Sequence, residues 1–282
     1  MEITKVAGIG TGLMGIQVGM CIAKYGFPTK VYSRTQEGKS KAENWIRTYL
    51  DGRIEKKRIT TDERSVWESN IQIVTDLAEA VGDADIVIES APEDAEIKKE
   101  YFRSLDEYTK PECILATNSS SMPSSMFAFV TKKPDKVCNM HFFNPALVME
   151  LVEVVRGEHT SDDTANTVYE LAKTIGKTPI LMQKEIPGFV VTKLIGAMQN
   201  VAFELVEGGY VTPQEFDIAQ EKGMGHPMGV FRLLDLTGID LLYMARRASI
   251  ESGFPAYLPQ FVTDQYNTGN YGRKTGKGWY DY

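Results

Sequence analysis

A glycine-rich turn near the N-terminus constrains the fold more than any other feature of this sequence. The apolar run at residues 5–9 leads into Gly-Thr-Gly-Leu-Met-Gly at residues 10–15, and an apolar helix candidate follows at residues 16–25. A second strand-like run lies at residues 29–33. Strand, turn, helix and strand in this order predict a βαβ unit, and this context distinguishes the turn from a chance glycine-rich loop.

The residues of the turn suit the binding of a dinucleotide. Gly10 permits the tight bend, Gly12 lets the backbone approach a pyrophosphate, and Gly15 allows the helix to pack closely on the strand. The helix N-terminus, which includes Leu13 and Met14, attracts the phosphate charge. These five residues are therefore predicted to contact the cofactor.

The end of the second strand predicts which dinucleotide binds. An acidic side chain about twenty residues past such a turn binds the ribose 2′-hydroxyl of NAD. Here the chain reads Ser33-Arg34-Thr35, with no acid. A hydroxyl followed by a guanidinium can bind a 2′-phosphate through charge-assisted hydrogen bonds, so the sequence favours NADP over NAD. The alternative is that Arg34 is a solvated loop cation and that the site accepts both cofactors.

Length and hydrophobicity predict a water-soluble protein of two domains. The 282 residues exceed one average domain, and the hydrophobic share is 43%. No apolar stretch approaches the length of a membrane span, and no signal-peptide pattern precedes the first strand. We therefore expect a cytoplasmic protein without a membrane partner.

Charge and cysteine content argue against other classes. The net charge of −7 disfavours binding to nucleic acid, which requires a basic surface. Cys21, Cys113 and Cys138 are odd in number and lack paired spacing, so the sequence predicts neither a disulfide framework nor a metal site. We expect them to be buried as small apolar side chains.

Apolar runs and amphipathic segments alternate through residues 1–184. After the first βαβ unit, strands are predicted at residues 71–74, 86–89, 114–117, 136–141, 149–155 and 179–181. Helices are predicted at residues 37–58, 76–81, 95–108, 124–130 and 161–175. This alternation predicts an α/β domain of Rossmann type, with a mostly parallel sheet covered by helices on both faces.

The pattern changes after Pro187-Gly188. Residues 185–282 contain predicted helices at 189–207, 213–223 and 229–252 and no convincing strand, which indicates an all-α C-terminal domain. Residues 233–242 carry more apolar surface than a small helical domain can bury alone. We therefore expect a homodimer formed through this domain. Alternatively, these helices pack on the first domain.

A histidine and a carboxylate form the candidate catalytic pair. His141 ends a predicted strand, at the edge of a parallel sheet where ligands bind. Glu153 lies within an apolar run, where a carboxylate is costly unless it has a partner. A carboxylate bonded to one imidazole nitrogen fixes the tautomer, raises the basicity of the ring and leaves the other nitrogen for proton transfer.

Several motifs occur in order along nearly the whole chain. Besides the glycine turn, they are Asn118-Ser119-Ser120-Ser121-Met122, His141-Phe142-Phe143-Asn144-Pro145, Leu151-Val152-Glu153-Val154, Pro187-Gly188-Phe189, His226-Pro227-Met228-Gly229 and residues 272–280. Together they resemble the L-3-hydroxyacyl-CoA dehydrogenase family, and especially its short bacterial members, the 3-hydroxybutyryl-CoA dehydrogenases. The resemblance implies a Rossmann domain followed by a helical dimerisation domain.

The resemblance also implies roles for single residues. His141 matches the histidine that removes the hydroxyl proton while hydride passes to nicotinamide, and Glu153 matches its carboxylate partner. Ser120 matches the serine that hydrogen-bonds the reacting oxygen. Glu93 and Lys98 match positions that contact the cofactor. By the same resemblance, Asn118 is expected at the cofactor and Asn144 at the substrate.

Three positions depart from the family pattern. Thr192 stands where the family carries an active-site asparagine, and it offers one hydroxyl donor in place of two amide donors. Ser33 replaces the acid that binds the NAD ribose. Asp51 replaces a serine on the helix that handles the substrate, while Lys56, Lys57 and Arg58 supply positive charge there. This cluster is predicted to bind the phosphates of CoA, or else forms a solvated helix face.

These observations predict an NAD(P)-dependent oxidoreductase that reversibly reduces a 3-ketoacyl-CoA, with acetoacetyl-CoA as the expected substrate. Two alternatives remain open at this stage. The first is a dehydrogenase of a free hydroxy acid, such as gulonate, carnitine or a hydroxyisobutyrate-like acid. The second is a non-catalytic relative that kept the fold, like a lens crystallin.

Overall fold

The computed structural model describes residues 1–253 and 255–282, which divide into two compact units. The first unit is Met1–Phe189 and the second is Val190–Tyr282. The first unit therefore extends past the boundary expected after residue 184. A Rossmann-type sheet domain followed by a helical domain confirms the predicted fold class.

One eight-stranded sheet forms the centre of the first unit, in the order β3-β2-β1-β4-β5-β6-β7-β8. Its strands are β1 (Val6–Ile9), β2 (Thr29–Tyr32), β3 (Ile71–Val74), β4 (Ile86–Glu89), β5 (Ile114–Thr117), β6 (Val137–Phe142), β7 (Leu151–Val155) and β8 (Thr178–Met182). Every neighbouring pair is parallel except β6 and β7, which are antiparallel. All the predicted strands are present, with small differences at their ends.

The central strands bury side chains on both faces, as parallel strands do. On β4, Ile86 and Ile88 pack into one apolar cluster with α1 (Leu13–Ala23) and α7 (Asp162–Thr174), while Val87 packs into another with α4 (Leu77–Val81) and α5 (Ala95–Tyr108). The helices of this unit are α1 (Leu13–Ala23), α2 (Gln36–Glu55), α3 (Thr61–Asn70), α4 (Leu77–Val81), α5 (Ala95–Tyr108), α6 (Ser125–Ala128) and α7 (Asp162–Thr174). Helices therefore cover both faces of the sheet, as expected.

Helix α3 was not predicted from the sequence. It begins with a capping box, in which the side chain of Thr60 accepts from the backbone of Glu63 and the side chain of Glu63 accepts from the backbone of Thr60. Its only buried residue is Trp67, so the apolar periodicity that reveals a packed helix is missing. The capping box was the available signal.

The second unit is helical. Its α-helices are α8 (Val191–Glu207), α9 (Pro213–Ile218), α10 (Val230–Thr237), α11 (Ile239–Glu251) and α12 (Gln260–Asn267). The helix predicted at residues 229–252 is wrong as one element, because Gly238 adopts φ +110° and separates α10 from α11. Helix α12 was also missed. Within the described part of the chain, none of the helices combines the length and apolarity needed to cross a bilayer.

Two buried carboxylates organise the second unit. Asp217 accepts hydrogen bonds from the backbone N–H groups of Phe231 and Arg232, at the start of α10, and from the hydroxyl of Tyr280. Asp235 accepts from the backbone N–H groups of Trp279 and Tyr280. These bonds satisfy the charges inside the unit and attach the C-terminal segment to it.

Candidate active site

The geometry of the glycine turn fits a dinucleotide. Gly10 adopts φ +100°, and a Cβ there would lie 2.7 Å from the backbone oxygen of Ser90. A Cβ on Gly15 would overlap the backbone of Gly10, whereas one on Gly12 would meet nothing within 4 Å. Gly12 is the N-cap of α1 and supplies no capping side chain. The open space at Gly12 and the start of α1 suit a pyrophosphate.

Three hydroxyl groups lie together where β2 ends. The Oγ of buried Ser33 is 3.1 Å from the Oγ1 of Thr11 and donates to the backbone oxygen of Thr35 at 3.0 Å. The Oγ1 of Thr35 accepts from the backbone N–H of Gly38 and caps α2. Arg34 is exposed beside them. The end of β2 thus presents hydroxyls and a guanidinium and has no carboxylate of its own.

Lys98 and Glu93 lie in one network with buried Glu89. The Nζ of Lys98 is 2.7 Å from Glu89 Oε1 and 3.3 Å from Glu93 Oε2, and the Lys98 side chain is only 1% exposed. Glu93 accepts hydrogen bonds from Ser119 and Ser121. Partial burial acts to raise the pKa of Glu93, but the bonds from these serines and the charge of Lys98 hold it below its ordinary value. The network joins the predicted cofactor contacts to the serine-rich loop, residues 118–124, which follows β5.

The predicted catalytic pair is formed across β6 and β7. His141 and Glu153 are directly opposite in the antiparallel register, and His141 Nδ1 lies 2.8 Å from Glu153 Oε2. The exposed fraction is 6% for His141 and 0% for Glu153. The rings of Phe143 and Phe189 lie 4.6 and 5.7 Å from the imidazole, centroid to centroid. An ionised carboxylate at this distance places the proton on Nδ1 and leaves Nε2 for chemistry.

The residues that follow β5 and β6 extend this site. Asn118 Oδ1 accepts from the backbone N–H of Phe142 at 2.8 Å, immediately after His141, so the two strand ends are linked. Ser120 and Asn144 are exposed in the loops that follow these strands. Carboxyl ends of parallel strands share one edge of a sheet, and these side chains belong to the edge where ligands bind in such folds.

The remaining predicted residues are on other elements of the chain. Lys56, Lys57 and Arg58 are exposed after the end of α2. Asp51 forms an ion pair with Arg64 at 2.5 Å, so the departure from the family pattern at this position has a partner cation. Thr192 lies in the first turn of α8, in the second unit, and its role stays a prediction.

Several polar residues of this region were not predicted from the sequence to have a role. Glu89 ends the apolar run Ile-Val-Ile-Glu and is fully buried, and the argument applied to Glu153 would have identified it. Asn139 is a buried amide that bonds to the serine-rich loop. His159, which was given no role, lies near Ser124, whose hydroxyl donates to Glu185. Loops bring these last groups together, so spacing in the sequence could not reveal them.

A glycine turn suited to a pyrophosphate and a histidine–carboxylate pair at the ligand edge of the sheet define an oxidoreductase of the Rossmann type that uses a dinucleotide. Residues 5–186 match the family model of the 3-hydroxyacyl-CoA dehydrogenase NAD binding domain, and residues 188–282 match that of the C-terminal domain. The chain therefore belongs to the 3-hydroxyacyl-CoA dehydrogenase family, a group of oxidoreductases that act on CH–OH groups. The resemblance inferred from the motifs is confirmed.

Comparisons with single proteins support the same family. A 3-hydroxybutyryl-CoA dehydrogenase from Clostridioides difficile is 38% identical over 99% of this chain and 99% of its own. The solved structure of (S)-3-hydroxybutyryl-CoA dehydrogenase PaaH1 from Ralstonia eutropha is 33% identical, covers 100% of this chain and 99% of its own, and superposes with a TM-score of 0.90. A solved diketoreductase, described for its dual catalysis of dicarbonyl compounds, is 29% identical over 100% of both chains, with a TM-score of 0.89.

Proposed function

We propose that this enzyme reversibly reduces a short 3-ketoacyl-CoA, acetoacetyl-CoA, to the 3-hydroxyacyl-CoA and prefers NADPH for the reduction. The observation that carries the proposal is the 2.8 Å contact between His141 Nδ1 and Glu153 Oε2, at the edge of the sheet where the loop with Ser120 begins. This reaction would place the enzyme in fatty acid metabolism. The 3-hydroxybutyryl-CoA dehydrogenases among its relatives support the substrate class.

His141, Glu153 and Ser120 have different roles in the proposed reaction. The bound dinucleotide supplies the hydride for reduction. Protonated His141 gives the Nε2 proton to the carbonyl oxygen of the substrate, and Glu153 stabilises the charged ring through Nδ1. The hydroxyl of Ser120 donates a hydrogen bond to the same oxygen. In the direction of oxidation, His141 removes the hydroxyl proton.

Cofactor contacts follow from the same edge of the sheet. We assign the pyrophosphate to residues 10–15 and further contacts with the cofactor to Glu93, Lys98 and Asn118. These groups lie in the segments that follow β1, β4 and β5, with Lys98 on α5, and the ends of these neighbouring strands border a dinucleotide in such folds. We assign Asn144 to the substrate.

The phosphates of CoA are the proposed ligands of residues 56–58. Replacing Lys56, Lys57 and Arg58 together by Ala should raise the KM for acetoacetyl-CoA roughly tenfold and change kcat less, because charged hydrogen bonds to the bound thioester are lost. A matched control replaces the exposed cations Lys132 and Lys173. An unchanged KM in the triple variant would leave residues 56–58 as a solvated face.

A dehydrogenase of a free hydroxy acid is the second candidate. Thr192 in place of the family asparagine and the likeness to a diketoreductase favour it. Comparing kcat/KM for acetoacetyl-CoA and free acetoacetate separates the two, and a higher value for the free acid overturns the proposal. Thr192→Asn should raise kcat on the thioester, whereas a sharp loss would indicate a pocket built around threonine.

NADPH is the proposed cofactor because cationic and hydroxyl donors are present at the end of β2. Arg34→Ala should lower kcat/KM for NADPH roughly tenfold or more and leave NADH nearly unaffected, since a charged hydrogen bond contributes about 1.5–3 kcal/mol. Ser33→Asp should shift the preference to NADH by repelling the 2′-phosphate. Lys41, exposed on α2 and paired with Glu37, gives the matched control Lys41→Ala. Wild-type preference for NADH that Arg34→Ala leaves unchanged would contradict the assignment.

A homodimer formed by the second unit is also proposed. Large apolar side chains are exposed on its helices, namely Leu194, Val201, Ile218, Leu236, Leu241 and Met244. Burying such a patch twice in a symmetric pair would remove it from water. Analytical ultracentrifugation should give twice the mass of the 31.5 kDa chain. The proposed location is the cytoplasm, where the free cysteines Cys21, Cys113 and Cys138 suit a reducing environment.

A further inference from the structure

Asn139 lies two residues before His141 on β6. Side chains at such spacing point to the same face of a strand. Asn139 is also the register partner of Thr117, the last residue of β5, so it lies beside the point where the serine-rich loop leaves the sheet. Its exposed fraction is 0%.

The amide of Asn139 forms three hydrogen bonds, and all of them reach this loop. Its Oδ1 accepts from the backbone N–H of Ser124 at 2.8 Å. Its Nδ2 donates to the backbone oxygens of Met122 at 3.1 Å and Ser119 at 3.3 Å. The bonds therefore hold the residues on both sides of Ser120 against the strand that carries His141.

Because Asn139 is buried, loss of its hydrogen bonds would be energetically costly. A buried amide is costly unless its donors and acceptor are paired, and the backbone groups that it satisfies would otherwise lose their partners. For the described residues 119–124, other side-chain bonds do not reach β6: Ser119 and Ser121 donate to Glu93, on the loop after β4, and Ser124 donates to Glu185. Asn139 is thus the described side chain that links the loop to β6 at both ends of the Ser119–Ser124 segment.

We propose that Asn139 is a positioning residue for the reaction: it fixes the loop so that the hydroxyl of Ser120 and the imidazole of His141 reach the same substrate oxygen. Asn139 acts through the loop and does not touch the substrate. The proposal rests on the role proposed above for Ser120. Misplacing a reacting group by about 1 Å can cost on the order of a hundredfold in rate, so a buried amide remote from the substrate can matter to kcat.

A double-mutant cycle tests this inference. Asn139→Ala should lower kcat for acetoacetyl-CoA about tenfold or more and leave the KM for NADPH unchanged. Ser120→Ala should also lower kcat. Because both changes remove the same alignment, the double variant should be no slower than Ser120→Ala alone. Asn139→Asp keeps the size of the side chain and the acceptor for Ser124, so it provides a second variant if Asn139→Ala folds poorly.

The matched control is Thr164→Ala. Thr164 is a fully buried polar residue on α7 whose hydroxyl donates to the backbone oxygen of Asp135 at 2.8 Å. The Thr164→Ala variant should lower the melting temperature, as we expect for Asn139→Ala, but should keep wild-type kcat. The positioning role is overturned if Asn139→Ala keeps wild-type kcat, or if its effect multiplies fully with that of Ser120→Ala.

Hydrogen exchange separates this inference from the proposed function. In Asn139→Ala, the backbone amide of Ser124 loses its acceptor and should exchange faster, whereas the amides of β6 and β7 should not change. Unaltered exchange at residues 119–124 would overturn the inference whatever the activity. If wild-type enzyme fails to reduce acetoacetyl-CoA, the proposed function is wrong, while the exchange result still decides whether Asn139 holds the loop.

Discussion

Two histidines of the first unit lie near carboxylates, and only one of them contacts its carboxylate directly. Glu153 Oε2 lies 2.8 Å from His141 Nδ1, so the carboxylate bonds the ring directly. Glu185 instead accepts from the hydroxyl of Ser124 at 2.8 Å and from the backbone N–H of Ser125 at 3.0 Å. His159 Nε2 is 3.3 Å from the same hydroxyl.

The difference shows what a carboxylate must do to make an imidazole a base. In the proposed mechanism, Glu153 fixes one nitrogen of His141 and stabilises the charged ring, which leaves the other nitrogen available for proton transfer. At His159 the carboxylate is engaged by Ser124 and Ser125, and burial lowers the pKa of the imidazole although the charge of Glu185 acts to raise it. His159 therefore favours the neutral form and a structural role.

The largest expected difference between the two histidines is in turnover. His141→Ala should lower kcat by at least about a hundredfold, as the loss of a general acid–base group does. His159→Gln should leave kcat near the wild-type value. Steady-state assays with acetoacetyl-CoA, together with circular dichroism to verify folding, make the comparison. Near-full activity in a folded His141→Ala enzyme would refute the assignment of the base.

A smaller effect is expected from the carboxylate. Glu153→Gln keeps the side-chain size but removes the charge that supports the protonated ring, so kcat should fall while the Kd for NADPH stays the same. Fluorescence titration measures cofactor binding independently of turnover. Equal loss of cofactor affinity would indicate that Glu153 is structural, as Glu185 is in the other cluster.

The smallest effect is a dependence of stability on pH. Because burial lowers the pKa of His159 from 6.5, the unfolded chain binds a proton more readily than the folded one. The free energy of unfolding should therefore decrease as the pH falls below about 6.5, by at most about 1.4 kcal/mol per pH unit from this group. Denaturant melts of wild type and His159→Gln between pH 7 and pH 5 measure it. An identical pH dependence in both would contradict the contribution of His159.

Much of the sheet could be predicted because most of its strands are short apolar runs separated by amphipathic segments. The runs at residues 71–74, 86–89 and 114–117 form the strands as predicted. Helices were harder to predict where few of their residues are buried, because the apolar periodicity of the sequence is then weak. Helix α3 buries only Trp67, and the break at Gly238 depends on a backbone conformation that the surrounding apolar residues conceal.

The residues of the candidate site could likewise be predicted only in part. His141 and Glu153 could be paired from the sequence because each was anomalous in its strand and a known family places them together. Asn139 lies on the same strand as His141, two residues earlier. In the sequence it is only a polar residue within a predicted strand, since an amide side chain does not indicate its hydrogen-bond partners. Its bonds go to backbone groups of a loop, and the path of a loop is fixed by tertiary contacts that spacing does not encode.

The reversed strand β7 has a consequence for how this enzyme can change. Because β6 and β7 run antiparallel, their pairing register places His141 directly opposite Glu153. Exposed positions of the connection at residues 143–150, such as Asn144 and Val148, can therefore be substituted while the proposed proton-transfer pair stays aligned, whereas Ala146 belongs to the apolar core. If the roles proposed above for Asn144, His141 and Glu153 hold, libraries confined to these exposed positions should change the acyl groups that the enzyme accepts and keep its acid–base chemistry.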